Sequence, residues 1–375
     1  MGLKMGTIIS QKRKAKQITQ QQLADFVGVS KASVSKWETG QTYPDITLLP
    51  LLASYFDVTV DELLNYSNDL SKEQVQKIYS DLRNKSETAT PEETLKMIED
   101  IIHRYYSSAL TILEMGSFLI NHGDILPGKD KAEKTQLYLT KAQKLFQHVL
   151  EISTDPVLLD KATSNSAYCS LVLNRPDEVL DALGEYVPEY YPTESLIAWS
   201  YQLKGETDRA IATTQSALYQ YVAVMMSQLT NYLQLLPGQP DKFQETYRRG
   251  QTMINSFHVQ ELNPVLVINF TISAAMGFVQ EQKTDAVMKC LSEFIDVLDK
   301  LKFPLQQHGD KYFDQIDDWL NQTDLGHELP RDEQQLKTDF VDLIPNNPNF
   351  MAYQDDARFQ KILQRLQTIK ERLER

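Results

Sequence analysis

The chain has 375 residues, 42% hydrophobic and 24% charged, which is long enough for more than one structural unit and apolar enough for a substantial core. No run approaches the ~18 consecutive apolar residues of a membrane span. The basic stretch Lys12 to Lys16 is followed at once by polar residues rather than by the apolar segment of a signal peptide, so a soluble, cytoplasmic protein with no membrane partner is expected. The net charge of −13 argues against nonspecific nucleic-acid binding by the whole molecule. The charge is unevenly placed, however. Residues 1–42 carry seven basic groups (Lys4, Lys12, Arg13, Lys14, Lys16, Lys31, Lys36) against Asp25 and Glu38, a local +5, which leaves −13 − 5 = −18 for the remainder. A basic head on an acidic body fits DNA binding confined to one end.

The only cysteines, Cys169 and Cys290, have no CxxC spacing and read as reduced, buried thiols. The six histidines form no H-x-x-x-H or Cys/His cluster, so no metal is expected. A glycine-rich phosphate loop, a G-x-S-x-G elbow and an H-E-x-x-H motif are all missing from the sequence. Scattered carboxylates on helices nominate no catalytic pair, and neither an enzyme nor a cofactor is expected.

In chain order, the first strong signal is Ile18 to Asp45. Thr19 is a good N-cap, able to accept from the backbone of Gln21 or Gln22. Leu23, Ala24 and Val27 give the following helix one apolar face, and Gly28 supplies a left-handed stop. Ser30 then caps a second helix, Lys31 to Thr39, which Gly40 ends. Within it Val34 and Trp37 share an inward side, while Lys31, Ala32, Ser35 and Lys36 fall on the other. Two short helices joined by a glycine-containing turn form a helix-turn-helix. Leu48 to Phe56 reads as a fourth helix; with Thr47 as its cap, Pro50 falls in the first turn, where its missing N–H is not needed. A fifth, short helix follows, with Thr59 as cap and Leu63-Leu64 turned inward.

These residues resemble the phage-repressor, or xenobiotic-response-element, family of helix-turn-helix domains. The resemblance is carried by Thr19-Gln20, Leu23-Ala24, Gly28-Val29-Ser30, Val34-Ser35-Lys36-Trp37-Glu38, Gly40, Pro44-Asp45, Leu48 to Phe56 and Asp57 to Leu64, and it spans roughly residues 5–66. It implies a five-helix, lambda-repressor-like domain whose helix from Lys31 lies in the major groove of double-stranded DNA. By position Lys31, Ala32 and Lys36 are then the base contacts, lysine donating to guanine and alanine touching a thymine methyl. Gln20, at the start of the preceding helix, would hold a phosphate. Ser30, Ser35, Thr39 and Gln41 are further contact candidates, and Arg13 completes the DNA-facing set. Arg13 and Glu38 also match a pair that in the family braces the first helix against the end of the recognition helix; the plain alternative is that both are solvated. Trp37 reads as core packing rather than a contact, because it falls on the Val34 side.

Beyond the head, Tyr66 to Ser71 reads as a joint, Ser71 caps a helix from Lys72 to about Asn84, and residues 85–91 form a second break, with Pro91 opening the next helix. The expected domains are therefore 1–66, a linker with a helix at 67–91, and 92–375. The last shows amphipathic helical patterns separated by Pro/Gly/Asp turns, without β-alternation, so the whole chain is expected to be all-α.

The helices repeat. Aligning Asp177, Asp208, Asp241 and Asp285 gives steps of 208 − 177 = 31, 241 − 208 = 33 and 285 − 241 = 44 residues. Two steps are close to the ~34-residue period of tetratricopeptide repeats, and the third implies an insertion or longer helices. Two residues after each aspartate stand the apolar Val179, Ala210, Phe243 and Val287. The body resembles a tetratricopeptide-like α-solenoid, closed by a tail repeat around Phe350 and Phe359 and a terminal helix from Lys361. Such repeats offer a concave face to extended ligands. Nine residues before each aspartate lie Tyr168, Trp199, Tyr232 and Met276, which could hold a peptide's side chains, with Asn165, Asn231 and Asn269 offering amide contacts to its backbone. Inter-helix packing is the plainer reading of this stripe.

The combination resembles the peptide-pheromone-responsive regulators of Gram-positive bacteria, which implies a homodimeric transcriptional regulator with a peptide or protein effector. Two other readings stay open: an interaction adaptor that sequesters a partner through the repeats, and an antitoxin-like autorepressor.

Overall fold

The computed structural model describes residues 5–64, 70–187, 189–323, 326–327 and 333–373. Among them the ordered elements are helices, as the all-α reading expects. The chain divides into two compact units, residues 1–119 with 126–178, and residues 120–125 with 179–375.

The head of the first unit holds α1 (Met5–Ala15), α2 (Gln20–Val27), α3 (Lys31–Glu38), α4 (Leu49–Phe56) and α5 (Val60–Leu64). Each boundary has a local cause. Thr19 and Gln22 form a reciprocal capping box: the Gln22 N–H donates to the Thr19 hydroxyl, and the Thr19 N–H to Gln22 Oε1. Gly28 ends α2 at φ 77°, a left-handed conformation in which a Cβ would be strained. The entry to α4 differs in detail from the expectation. A turn of 3-10 helix over Ile46–Leu48 precedes α4, capped by Asp45, whose carboxylate accepts from the Thr47 N–H and hydroxyl; α4 itself starts after Leu48 with no side-chain cap, so Thr47 is not its cap. Pro50 still falls in the first turn of α4, where it is tolerated. Thr59 and Glu62 form a second capping box at α5.

The five helices close around Ile9, Leu23, Val34, Leu52, Phe56 and Leu63, with Trp37 on the same core. Gly6 sets how closely α1 approaches α3, because a Cβ there would collide with the Trp37 carbonyl oxygen. The rest of the unit comprises α6 (Lys72–Ser86), α7 (Pro91–Arg104), α8 (Ala109–His122), α9 (Lys131–Ile152) and α10 (Pro156–Val172). Capping boxes at Ser71 and Thr90 start α6 and α7. Most of the expected joint at Tyr66 to Ser71, residues 66–69, lies outside the described residues. Tyr79 of α6 meets Phe118 of α8 edge-on at 5.3 Å, and Gln143 of α9 donates to Ser170 of α10 at 2.8 Å.

The chain continues through α11 (Pro176–Leu183), α12 (Thr193–Leu203), α13 (Thr207–Gln234), α14 (Pro240–Ser256), α15 (Val259–Leu262) and α16 (Pro264–Gln280). It ends with α17 (Thr284–Lys300), α18 (Asp317–Gln322), α19 (Glu333–Asp342) and α20 (Ala357–Leu373), the last beginning four residues before the expected Lys361. At each aligned turn the residue three before the aspartate is left-handed: Asn174 at 59°, Gly205 at 75°, Gly238 at 78° and Gln282 at 57°. A helix begins one residue before each aspartate, at Pro176, Thr207, Pro240 and Thr284. At three of these turns the next N–H reaches the carbonyl five residues back: Arg175 to Ser170, Glu206 to Tyr201 and Lys283 to Phe278. The long third step contains the short extra helix α15. Within the second unit α12 packs on α13, α13 on α14 and α16, α16 on α17, and α17 on α20, which is helical-repeat packing. The core of this array holds Phe243, Phe270, Phe278, Phe294, Phe350 and Phe359.

Gly6→Ala should force α1 away from α3 and cost about 1–3 kcal/mol, the usual range for overpacking a tight contact. Hydrogen exchange of residues 5–38 checks this; exchange there should accelerate, while unchanged protection would mean that the α1–α3 contact can relax freely.

Candidate nucleic-acid interface

The helix-turn-helix sorts its side chains by periodicity. On α3, Val34 and Trp37 are buried, Lys31, Ala32 and Lys36 are exposed, and Ser35 is half-buried. The expected contacts Lys31, Ala32 and Lys36 therefore share the outward face, and Gln41 is exposed just beyond the helix. Ser30 and Thr39 have local partners at the two ends of α3. The Ser30 hydroxyl accepts from the Ser33 N–H, and the Thr39 hydroxyl donates to the carbonyls of Ser35 and Lys36.

Arg13 and Gln20 have a different situation from the lysines. Arg13 Nε donates to Glu38 Oε1 at 2.5 Å and its terminal nitrogen donates to Oε2 at 3.0 Å, a forked pair with side chains only 12% and 7% exposed. The other terminal nitrogen donates to the Ile18 carbonyl at 2.8 Å. Gln20 Nε2 donates to Glu38 Oε2 at 2.9 Å. Glu38 thus gathers α1 and the start of α2 onto the end of α3. The brace is present and the solvated alternative is not. The Gln20 side chain turns toward Glu38, while the Gln20 and Gln21 backbone N–H groups, at the open end of α2, have no intrahelical acceptor.

Burial alone would raise the Glu38 carboxyl, but the hydrogen bonds from Arg13 and Gln20 and the charges of Arg13 and Lys14 outweigh it and hold the group below its ordinary 4.5. The same pairing raises the Arg13 guanidinium. Gly6 was missed in reading the sequence for function; an isolated glycine on the face shared by Met5 and Ile9 was the available signal.

The expected effector residues fall in both units. In the first, Asn165 is half-buried and donates to Ser117 Oγ at 3.4 Å, while Tyr168 is 50% exposed. In the second, Trp199 is 61% and Tyr232 44% exposed, and Asn231 and Asn269 are also exposed. Each of these three aromatics keeps about half of its surface exposed. Met276 is half-buried and lines a cavity of about 460 Å³ with Leu236, Phe243 and Gly277. Cys169 and Cys290 are free and buried, and burial pushes both thiols up to about 12. No helix among the described residues is long and apolar enough to cross a membrane.

Residues 9–63 match the helix-turn-helix family model. The transcriptional activator BcrR of Enterococcus faecalis is 44% identical over 57 residues, 15% of this chain and 28% of that protein. The uncharacterized regulator YobD of Bacillus subtilis is 36% identical over 61 residues, 16% of this chain and 54% of that protein. The chain thus spans about a quarter and about half of these relatives. Among solved structures, PlcR of Bacillus thuringiensis, in complex with the peptide PapR7 and DNA, is 19% identical over 71% of this chain and 99% of that one, with a TM-score of 0.25. The pheromone receptor Rgg2 of Streptococcus dysgalactiae is 14% identical over 77% of this chain and 92% of that one, with a TM-score of 0.22.

Removing Arg13 would leave the Glu38 carboxylate without its forked cation and with Gln20 as its remaining donor, so Arg13→Ala should destabilise the head by up to roughly 3–5 kcal/mol. A carboxyl held below its unfolded value contributes stability above that value and loses it as pH falls through the folded one. Head stability should therefore decline as pH drops below about 4.5, and Glu38→Gln should flatten that part of the profile. Acid titration of both proteins, followed by hydrogen exchange of residues 5–38, checks both statements; identical acid limbs would remove Glu38 as their source.

Proposed function

We propose that this chain is a sequence-specific, DNA-binding transcriptional regulator that acts as a homodimer and is controlled by a peptide or protein effector bound by its helical repeats. The observation that carries the reading is the outward face of α3, where Lys31, Ala32 and Lys36 stand exposed on a helix fixed by the Arg13–Glu38 brace. A helix so held can enter the major groove as a rigid element, its first residues at base edges. The matches of residues 9–63 to the helix-turn-helix model and of a 57-residue segment to a transcriptional activator support the same reading.

Dimerisation follows from the arithmetic of recognition: one such module buries little surface, and a symmetric site needs a second copy. Effector binding is supported by α12, which exposes Trp199 together with Leu196, Ile197 and Leu203, more apolar surface than a single exposed side chain. The acidic remainder weakens nonspecific attraction to phosphates and so leaves selectivity to α3. Transcriptional regulation, rather than catalysis, accounts for what the site contains: donors for phosphates and base edges.

Lys36→Ala should reduce discrimination between sites by roughly 1–3 kcal/mol. Genome-wide mapping of sites bound by the intact protein, with Lys31→Ala/Lys36→Ala as control, tests the reading. A palindromic motif lost in the control is the expected result. A folded, well-expressed protein that enriches no motif would favour the adaptor reading instead.

A further inference from the structure

We propose that the second unit carries a binding site for a small amphipathic carboxylate, in a cavity between the α14–α15 turn and the segment that follows α17. The cavity has a volume of about 730 Å³, within the roughly 300–1,000 Å³ of ordinary small-molecule sites. Its apolar lining comes from Ile254, Val297, Leu301 and Leu305. Lys300, Lys302, His258 and His308 also line it, against a single carboxylate, Glu261.

This sign of charge is the exception in a remainder that carries −18. The aspartates nearest in sequence are engaged by another helix. Asp296 and Asp299 face α20, where Arg365 and Arg372 hold them at 2.9 and 2.8 Å. Lys300 and Lys302 are exposed, and among the described residues neither has a carboxylate within 4.0 Å. Glu261 sits 3.9 Å from His258 Nδ1. Two lysines without carboxylate partners therefore stand beside an apolar lining. An alkyl chain would take the lining, gaining affinity with each methylene removed from water. Its carboxylate would take the lysines, which donate to it without first leaving another partner.

Two backbone features build the walls. His258 has φ 49°, in the left-handed region that few non-glycine residues adopt, histidine more often than most. This conformation starts α15 and presents the imidazole to the cavity. Opposite, the Gln307 N–H donates to the His327 carbonyl at 2.7 Å, and His327 Nδ1 lies 2.7 Å from the Gln307 carbonyl, which ties down the segment that supplies Leu305 and His308. The site uses none of the residues assigned to DNA or to the expected peptide effector, so it stands or falls separately from the regulator reading.

Calorimetric titration of the full chain with sodium octanoate tests the proposal. One saturable site per chain is expected, with affinity rising from butyrate through hexanoate to octanoate. Lys300→Gln/Lys302→Gln, a change at exposed positions, should weaken octanoate by about tenfold or more, and octanol should bind wild type at least as poorly as octanoate binds the variant. Three results would overturn it: no saturable heat at millimolar octanoate, equal affinity in wild type and the folded variant, or inorganic phosphate binding as well as octanoate. The last would mark an oxyanion site in which the apolar lining has no part.

Discussion

The bidentate pair between Arg13 and Glu38 is the interaction on which the arrangement of the head's helices depends. A helix of eight residues such as α3 is too short to hold its own conformation in water and relies on tertiary contacts. Val34 and Trp37 supply the apolar part of that support, but apolar packing alone tolerates small rotations. The forked hydrogen bonds do not, because the guanidinium plane and the carboxylate plane must stay matched. Gln20 adds α2 to the same carboxylate, and Gly6 lets α1 lie close enough for Arg13 to reach it. One acidic side chain thus fixes the orientation of three helices, and with it the direction in which Lys31 and Lys36 point.

The second unit achieves order by different means. Its core is a succession of phenylalanines between paired helices, and its turns repeat one left-handed step before each new helix. Arg358, Arg365 and Arg372 pair from α20 with Asp285, Asp296 and Asp299 on α17. These pairs are exposed and contribute little stability individually; their effect is to neutralise the aspartates along α17. The exposed aromatics Trp199 and Tyr232 belong to the same unit and give it apolar surface.

Most of the head was legible in the sequence because its signals are local. Caps, left-handed stops and a two-residue inward register in α3 are read within a few positions, and the structure follows them closely. The exception at α4 is also local: Asp45 accepts from two Thr47 donors at once and starts a 3-10 turn, which takes up Thr47 before α4 begins. The repeat turns were legible through their aspartates, since each follows a fixed backbone step. The sequence was silent where meaning comes from distant neighbours. Gly6 gains its role from the Trp37 carbonyl across the fold, and the cavity with the cationic lining joins residues around 254–264 to residues 297–308, far apart in sequence. Met276 shares a register with Tyr168, Trp199 and Tyr232 but lines a cavity beside α14, because α16 is packed on both sides.

The most direct test of the central claim is hydrogen exchange of the full chain with and without a DNA fragment carrying its enriched motif. If α3 is the reading element, added protection should concentrate in residues 19–42, from the open end of α2 through Gln41. DNA that binds tightly yet leaves 19–42 unprotected, or that protects only residues of the second unit, would contradict it.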